Sequence, residues 1–454
     1  MTRSASFERQ ADPPLTRGQV FSQSWPIMLA NAAAPVVGLV DTFVIGRYAG
    51  TTALAGIGLG AVIYGIAYWG FGFLRMSTAG LAAQSDGAKD QSEVQAHLVR
   101  AVPLGLFIGL MILVTQTLLL ALAFNVFTAS DTIEGAAATY IKARLWGLPA
   151  TLGSIALMGW FVGISRSGRA LSMQIVLNLV NLILSPLFVI SFGWGLYGVG
   201  VASAIAEWVG LGAGLWLAHR EVLKRGGWRA SVFMRATVLK TQALKKLGVT
   251  NSNIFIRTLM LAIGFSFFGN AAASEGEVFL AGNHIHMQFI TMIALVLDAF
   301  AHTAEAVTGS AFGAGHKARF KRAVRLTTEF SIIFACLAGL TILVLGPYVI
   351  GFLTKDPAVI DSATRYLPYC ALAPVLGFAA YQLDGIFIGT TQTRPMRDAG
   401  IMALLIYLAA HFMLQPRLGP EGLWAAFLIY YVARAVTLGL FYPGVVRQIK
   451  TLKE

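Results

Sequence analysis

Twelve apolar runs divide this chain, near residues 20–46, 53–83, 98–124, 138–163, 170–190, 196–218, 247–270, 277–303, 325–346, 362–389, 396–414 and 421–443. About 20 apolar residues carry a helix across a bilayer core. In lipid every backbone N–H and C=O must be satisfied inside the structure, so a run of this kind spans as a helix. Only 12% of the residues are charged, about half of the roughly 25% usual in soluble domains. The expected fold is therefore an all-α integral membrane protein with twelve transmembrane helices. The second, fourth and tenth runs exceed the bilayer thickness, which predicts tilt or an extension beyond it.

The formal net charge is +13, which raises the question of a nucleic-acid partner. The placement of the charge argues against one. Of the 34 Lys and Arg, 25 fall in the two tails and the alternate loops of one face. The other nine are Arg47, Arg75, Lys142, Arg144, Arg257, Lys355, Arg365, Arg417 and Arg434. This is the positive-inside pattern, and it predicts both termini in the cytoplasm of a cell (inner or plasma) membrane protein. The longest polar interruption, 219–246, carries eight Lys or Arg and reads as a cytoplasmic amphipathic segment on an anionic leaflet. It separates an N-terminal six-helix lobe (1–230) from a C-terminal one (247–454), with 231–246 as the basic linker. Residues 1–19 show no cleavage signature, so no removable signal peptide is expected. Cys336 and Cys370 lie in apolar runs and suggest neither a disulfide framework nor a thiolate metal site.

The two halves repeat. Tyr140 and Gly163 are spaced as Tyr366 and Gly389 are, with Pro149 and Pro374 between. SRSGR follows the first stretch and TTQTR the second. Gly195 and Gly198 recur as Gly419 and Gly422, and Thr78 to Gly87 with Lys89 resembles Thr303 to Gly313 with Lys317. The offset stays near 224–226 residues. With six spans per half the copies share one orientation, a parallel repeat about an axis along the membrane normal. Two lobes around a central cleft, opened alternately, are a transporter architecture.

Acids inside apolar runs are functional candidates by default, because a charge at mid-bilayer costs roughly 2.5–3.5 kcal/mol on insertion scales. Asp41 is the one charged residue between about 20 and 46. Arg47 is nearly two turns away and a poor local partner, while Pro26 and Pro35 favour a bend in the same helix. In the eighth run Asp298 and Glu305 are seven residues apart, about 20° short of two turns, and share a face with Thr291 and His302. Glu305 and His302 could equally sit in the headgroup zone and pair with loop bases. Asp384 stands beside Tyr381 and Gln382 in the tenth run. Glu207 and Arg257 read as a structural buried pair, since a lone buried charge is costly. Met28, Met158, Met173, Met260, Met287 and Met292 are weak candidates for an adaptable substrate cavity. His284 and His286 are about 200° apart on a helix and do not form a joint metal site.

In sequence order, Pro26 with VDTFVIG (40–46), ALAGIGLG (53–60), AAQSDGAKD (82–90), IRTL (256–259), LDAFAHTAEAVTGSAFGAG (297–315) and YQLDGIFIGTTQTRPMRD (381–398) resemble the multidrug and toxic compound extrusion (MATE) family, in its DinF-like branch. The resemblance covers nearly the whole chain. It implies a secondary antiporter exporting small, often cationic, amphipathic compounds against H⁺ or Na⁺, with no other cofactor and acting as a monomer. It also implies coupling at Asp41 and at Asp384, while the eighth-span acids Asp298 and Glu305 are coupling candidates from their shared face in an apolar run. The family's fifth-span pattern matches at Asn178 and Asn181, but Ser185 stands where an acid is often found. These three lie at i, i+3 and i+7 on one helical face, a polar face without charge. Asn253 likewise replaces a common Asp.

A flippase for a lipid-linked precursor is the alternative, and it would want bases clustered at the cavity. Arg75, Arg257 and Arg434 are the candidates, scattered in sequence. The absence of GxxxxGK[ST], HExxH and paired histidine–acid motifs argues against an enzyme or an ATP-driven pump.

Overall fold

The computed structural model describes residues 15–126, 129–234 and 241–449, apart from the side chains of residues 34, 67, 69 and 243. Among these residues the chain is helical throughout, without a strand. The first half holds α1 (Arg17–Tyr48), α2 (Thr51–Gly70), α3 (Phe73–Gly87), α4 (Gln91–Val114), α5 (Gln116–Val126), α6 (Asp131–Leu145), α7 (Leu148–Gly163), α8 (Ser167–Pro186) and α9 (Gly195–Lys224). The second holds α10 (Thr241–Ser274), α11 (Glu277–Gly313), α12 (Lys317–Leu353), α13 (Pro357–Gly389), α14 (Thr393–Leu418), α15 (Pro420–Gly439) and the short α16 (Tyr442–Gln448).

Among the described residues ten helices are long and apolar enough to cross a membrane. The pair α6 and α7, bent by 56°, makes an eleventh span. The helices α2 and α3 follow one another across Phe71 and Gly72. The second and fourth of the over-long runs thus fall on pairs of helices with a break between them. By contrast α1 is continuous through both Pro26 and Pro35. A π-helical turn, Leu187–Ser191, follows Pro186 at the end of α8. Of the expected linker 231–246, residues 231–233 belong to the 3₁₀ turn Ala230–Phe233 and 241–246 already belong to α10. Residues 235–240 lie outside the described residues.

The repeat is written in the backbone as well as in the residue pattern. Gly50 and Gly276, Lys89 and Gly315, Ser165 and Thr391, and Gly195 and Gly419 all have positive φ, and each pair stands at the offset of the sequence repeat. Lys89, Ser165, Gly315 and Thr391 each end a helix in the left-handed conformation. In every case the next N–H reaches back five residues: Asp90 to Ser85, Arg166 to Phe161, His316 to Ala311 and Gln392 to Phe387. This is the Schellman cap, which satisfies carbonyls that the helix end would otherwise orphan.

These four caps lie at the end of the molecule that carries both termini, and there the lobes touch. A Cβ added to Gly87 would fall 1.9 Å from the carbonyl oxygen of Ser310, and one on Gly313 would fall 2.0 Å from that of Gln84. Residues 84 and 310, and 87 and 313, are repeat counterparts, so the two contacts are one contact made twice about the pseudo-twofold axis. Cross-lobe bonds run along the same end and up α1. Gln84 Nε2 donates to the Gly389 carbonyl and to Thr391 Oγ1, both at 3.0 Å. Arg17 pairs with Glu329 at 2.9 Å, the Ser24 and Thr303 hydroxyls are 2.8 Å apart, and Asn31 Nδ2 donates to the Leu295 carbonyl at 2.9 Å.

Candidate functional site

The N-terminal lobe builds a polar chamber from five spans. Asp41 of α1 is 1% exposed, and both carboxylate oxygens are occupied. Ser185 Oγ donates to Oδ1 at 2.7 Å and Ser203 Oγ to Oδ2 at 3.1 Å. Asn181 Nδ2 donates to Ser203 Oγ at 3.1 Å. Its own Oδ1 is buried with no partner among the described residues. Ser185, the position lacking the usual acid, therefore supplies a hydroxyl directly to Asp41. Asn178 is used differently: its Nδ2 donates to the Ala33 carbonyl at 2.8 Å and ties α8 to α1 between the two prolines.

Beside this network lies a cavity of about 280 Å³, lined among others by Asn181, Ser203, Glu207, Arg144, Met158 and Met173. The expected pairing of Glu207 with Arg257 does not form. Tyr64 donates to Glu207 Oε1 at 3.0 Å, and Arg144 Nη2 lies 3.8 Å from it. The Arg144 guanidinium sits 4.1 Å from the Tyr64 ring centre, a cation–π contact, and its Nη1 donates to the Tyr140 hydroxyl. The break between α6 and α7 makes the space, because a Cβ on Gly147 would lie 2.0 Å from Glu207 Oε2 and 2.7 Å from Ala204 Cα. Arg144 is also within electrostatic reach of Asp41. The lobe thus holds two carboxylates after all, the second from α9. The signal is present in the sequence, since Glu207 follows Ser203 by one helical turn. Tyr64, Thr151 and Arg144 carry no such mark.

In the C-terminal lobe Asp384 meets two bases. Arg257 Nη2 and Arg434 Nη2, the latter at 3.1 Å, both donate to Asp384 Oδ2. Asp298 lies within electrostatic reach of Arg75, Arg257 and Arg434. Scattered in sequence, these bases are gathered by the fold on one cluster. Glu305 is fully buried and pairs across the lobes with Arg75 at 3.2 Å, so its partner is a span residue and not a loop base. Gln382 is buried and faces into its own lobe, donating to Thr327 at 2.5 Å and accepting from Ser331 at 3.1 Å. Tyr381 stacks under the Arg434 guanidinium at 5.6 Å. Asn253, the other replaced Asp, joins α10 to α14 through Thr393 and Arg397, each at 3.2 Å.

Of the methionines, Met158 and Met173 reach the cavity. Met260 and Met287 pack on the C-terminal core, and Met28 packs on the buried patch of Ile27, Ala79 and Val162. Met292 is 66% exposed, on the α11 stripe that continues through Ala299 and Thr303 to the lobe contact. Among the described residues no group of three His, Cys, Asp or Glu is placed to hold a metal ion.

Two lobes of long apolar helices, joined at one end and each carrying buried polar groups, define a multi-pass membrane protein. The MatE family model matches residues 26–187 and 252–414, one stretch in each half, and the chain belongs to that family. It is 31% identical over 420 residues to DNA damage-inducible protein F of Escherichia coli (strain K12), covering 92% of this chain and 90% of that protein. It is 22% identical over 434 residues to the multidrug resistance protein MdtK of Klebsiella pneumoniae (strain 342), covering 93% and 94%. Its fold matches the outward-facing conformation of a multidrug resistance MATE family transporter of the MOP superfamily. The TM-score is 0.82 at 19% identity, over 96% of each chain.

Proposed function

We propose that the protein is a proton-coupled antiporter that exports small amphipathic molecules across the cell membrane by alternating access of its two lobes. The carrying observation is Asp41, buried and bonded by Ser185 and Ser203, next to a cavity that also holds Glu207. An acid whose hydrogen-bond partners come from α8 and α9 changes surroundings whenever those helices shift against α1. It then takes a proton in one arrangement and loses it in the other, and the coupling equals the difference in proton affinity between the two. The relative named for multidrug resistance supports export as the task.

A proton suits these acids better than Na⁺. Every carboxylate of the two clusters has a guanidinium near it: Arg144 for Asp41 and Glu207, Arg75 for Asp298 and Glu305, Arg257 and Arg434 for Asp384. A metal cation placed there adds charge beside an existing base and needs several further oxygen ligands. A proton neutralises the acid where it stands. Asp384, held by two bases, acts in this reading as an anchor and not as a cation ligand.

The test is dye efflux from proteoliposomes with ΔpH and a Na⁺ gradient imposed separately. Export driven by ΔpH, abolished in Asp41→Asn and reduced at least about tenfold in Glu207→Gln, is the expected result. Export driven by Na⁺ alone, or undiminished in Asp41→Asn, removes the proton reading.

A further inference from the structure

One carboxylate oxygen serving two guanidiniums leaves donors in excess. A structural ion pair in a low-dielectric interior needs one base per acid, and a second buried base adds a further desolvation cost. Arg434 Nη1 is buried and has no hydrogen-bond partner among the described residues. The side chains of Arg434, Arg257 and Asp384 nevertheless keep 9%, 11% and 14% exposure, so the cluster is not sealed off. Around the Arg434 guanidinium stand the rings of Tyr381, Tyr431 and Tyr430, at 5.6, 5.9 and 6.0 Å. Asp298, the nearest further acid, is within electrostatic reach of both bases and of Arg75 but closes no ion pair with them among the described residues.

We propose that Arg257 and Arg434 form the binding site for the anionic head, a carboxylate or a phosphate, of an amphipathic substrate whose apolar body lies against the partly exposed Tyr381. The planar guanidinium donates two parallel hydrogen bonds to such a head, and the unused Nη1 of Arg434 is half of that fork. The inference rests on the export reading above and narrows it, and it reverses the cationic head that the family resemblance implies. Its chemistry is shared by soluble amphipathic carboxylates and by phospholipid headgroups.

The test begins with binding, which is independent of transport. Purified protein in nanodiscs is titrated with dansyl-undecanoate and with a dansyl-alkyl trimethylammonium of equal chain length. Wild type is expected to bind the carboxylate at least about tenfold more tightly, the loss that removing a charge-assisted bond produces. Arg434→Gln should abolish that preference, Arg257→Gln should weaken it, and Arg434→Lys, which keeps the charge and a partner for Asp384, should fall between. Equal binding of the two probes by wild type, or a preference untouched by both Gln variants, overturns the proposal. In proteoliposomes under ΔpH, movement of the ammonium probe but not the carboxylate also overturns it, while leaving the export reading intact. Arg434-dependent binding with no movement of either probe keeps the site and removes the export reading. Flipping of a headgroup-bearing NBD phospholipid, lost in Arg434→Gln, assigns the anion to lipid; carboxylate movement without flipping assigns it to a soluble compound.

Discussion

Thr391 is a β-branched residue at φ 53°, a conformation that costs L-residues roughly 1–2 kcal/mol. Its side chain explains why it is tolerated: Oγ1 takes the cross-lobe hydrogen bond from Gln84. Ser165, its counterpart in the first half, has φ 57° and no such bond among the described residues. Thr391→Gly is expected to relieve the backbone by about 1 kcal/mol while loosening the lobe contact. Ser165→Gly should give the relief alone. Thermal melting in detergent reports the first effect. Thiol labelling of a cysteine placed at the terminal-side contact reports the second, which only Thr391→Gly should raise. The same scale decides Asp41. The sequence marks it by isolation alone; what cannot be read there is that its two oxygens are served from α8 and α9, because partners 144 and 162 residues away are set by packing.

At the level of the helices, the breaks carry more meaning than the spans. Hydropathy locates the apolar segments, since crossing a bilayer sets a minimum apolar length for each. It does not reveal that α2/α3 and α6/α7 are interrupted, because Phe71-Gly72 and Trp146-Gly147 are no more polar than their surroundings. The second break is what lets α9 bring Glu207 against Tyr64 and Arg144. Gly147 has φ −82°, so alanine fits its backbone, but the added methyl meets Glu207 Oε2 and the backbone of Ala204. Gly147→Ala should cost about 1–3 kcal/mol through overpacking and displace Glu207. The check is a lowered melting temperature together with a shifted pH dependence of efflux. The bend expected from Pro26 and Pro35 does not interrupt the helix: α1 is continuous through both prolines.

For the whole molecule, the parallel repeat is legible because its punctuation, glycine and basic turns at a fixed offset, is chemical. The clustering of Arg75, Arg257 and Arg434 is not, since three spans and two lobes have to be assembled before they meet. The contact between the lobes predicts how transport can be arrested. The Ser24 and Thr303 hydroxyls are 2.8 Å apart, so cysteines at these positions need only a small shift to form a disulfide. Ser24→Cys with Thr303→Cys, in a background lacking the exposed Cys336, should lose efflux on oxidation and recover it with dithiothreitol. Efflux that is unaffected by a demonstrated crosslink would mean that the lobes need not part at this end.

The doubled contact of Gly87 on Ser310 and Gln84 on Gly313 has the form of an isologous dimer interface, in which one surface meets its own copy. Here the two subunits share a chain. The tether fixes their ratio at one to one and makes their encounter intramolecular, at an effective concentration no pair of free partners holds. Freed from having to match any other copy, the two sides can diverge in charge, as Arg144 and Glu207 on one side and the Arg257–Arg434 pair on the other have done. A true homodimer, bound to write every residue twice, could not set two acids about one base in one lobe and two bases on a single carboxylate in the other.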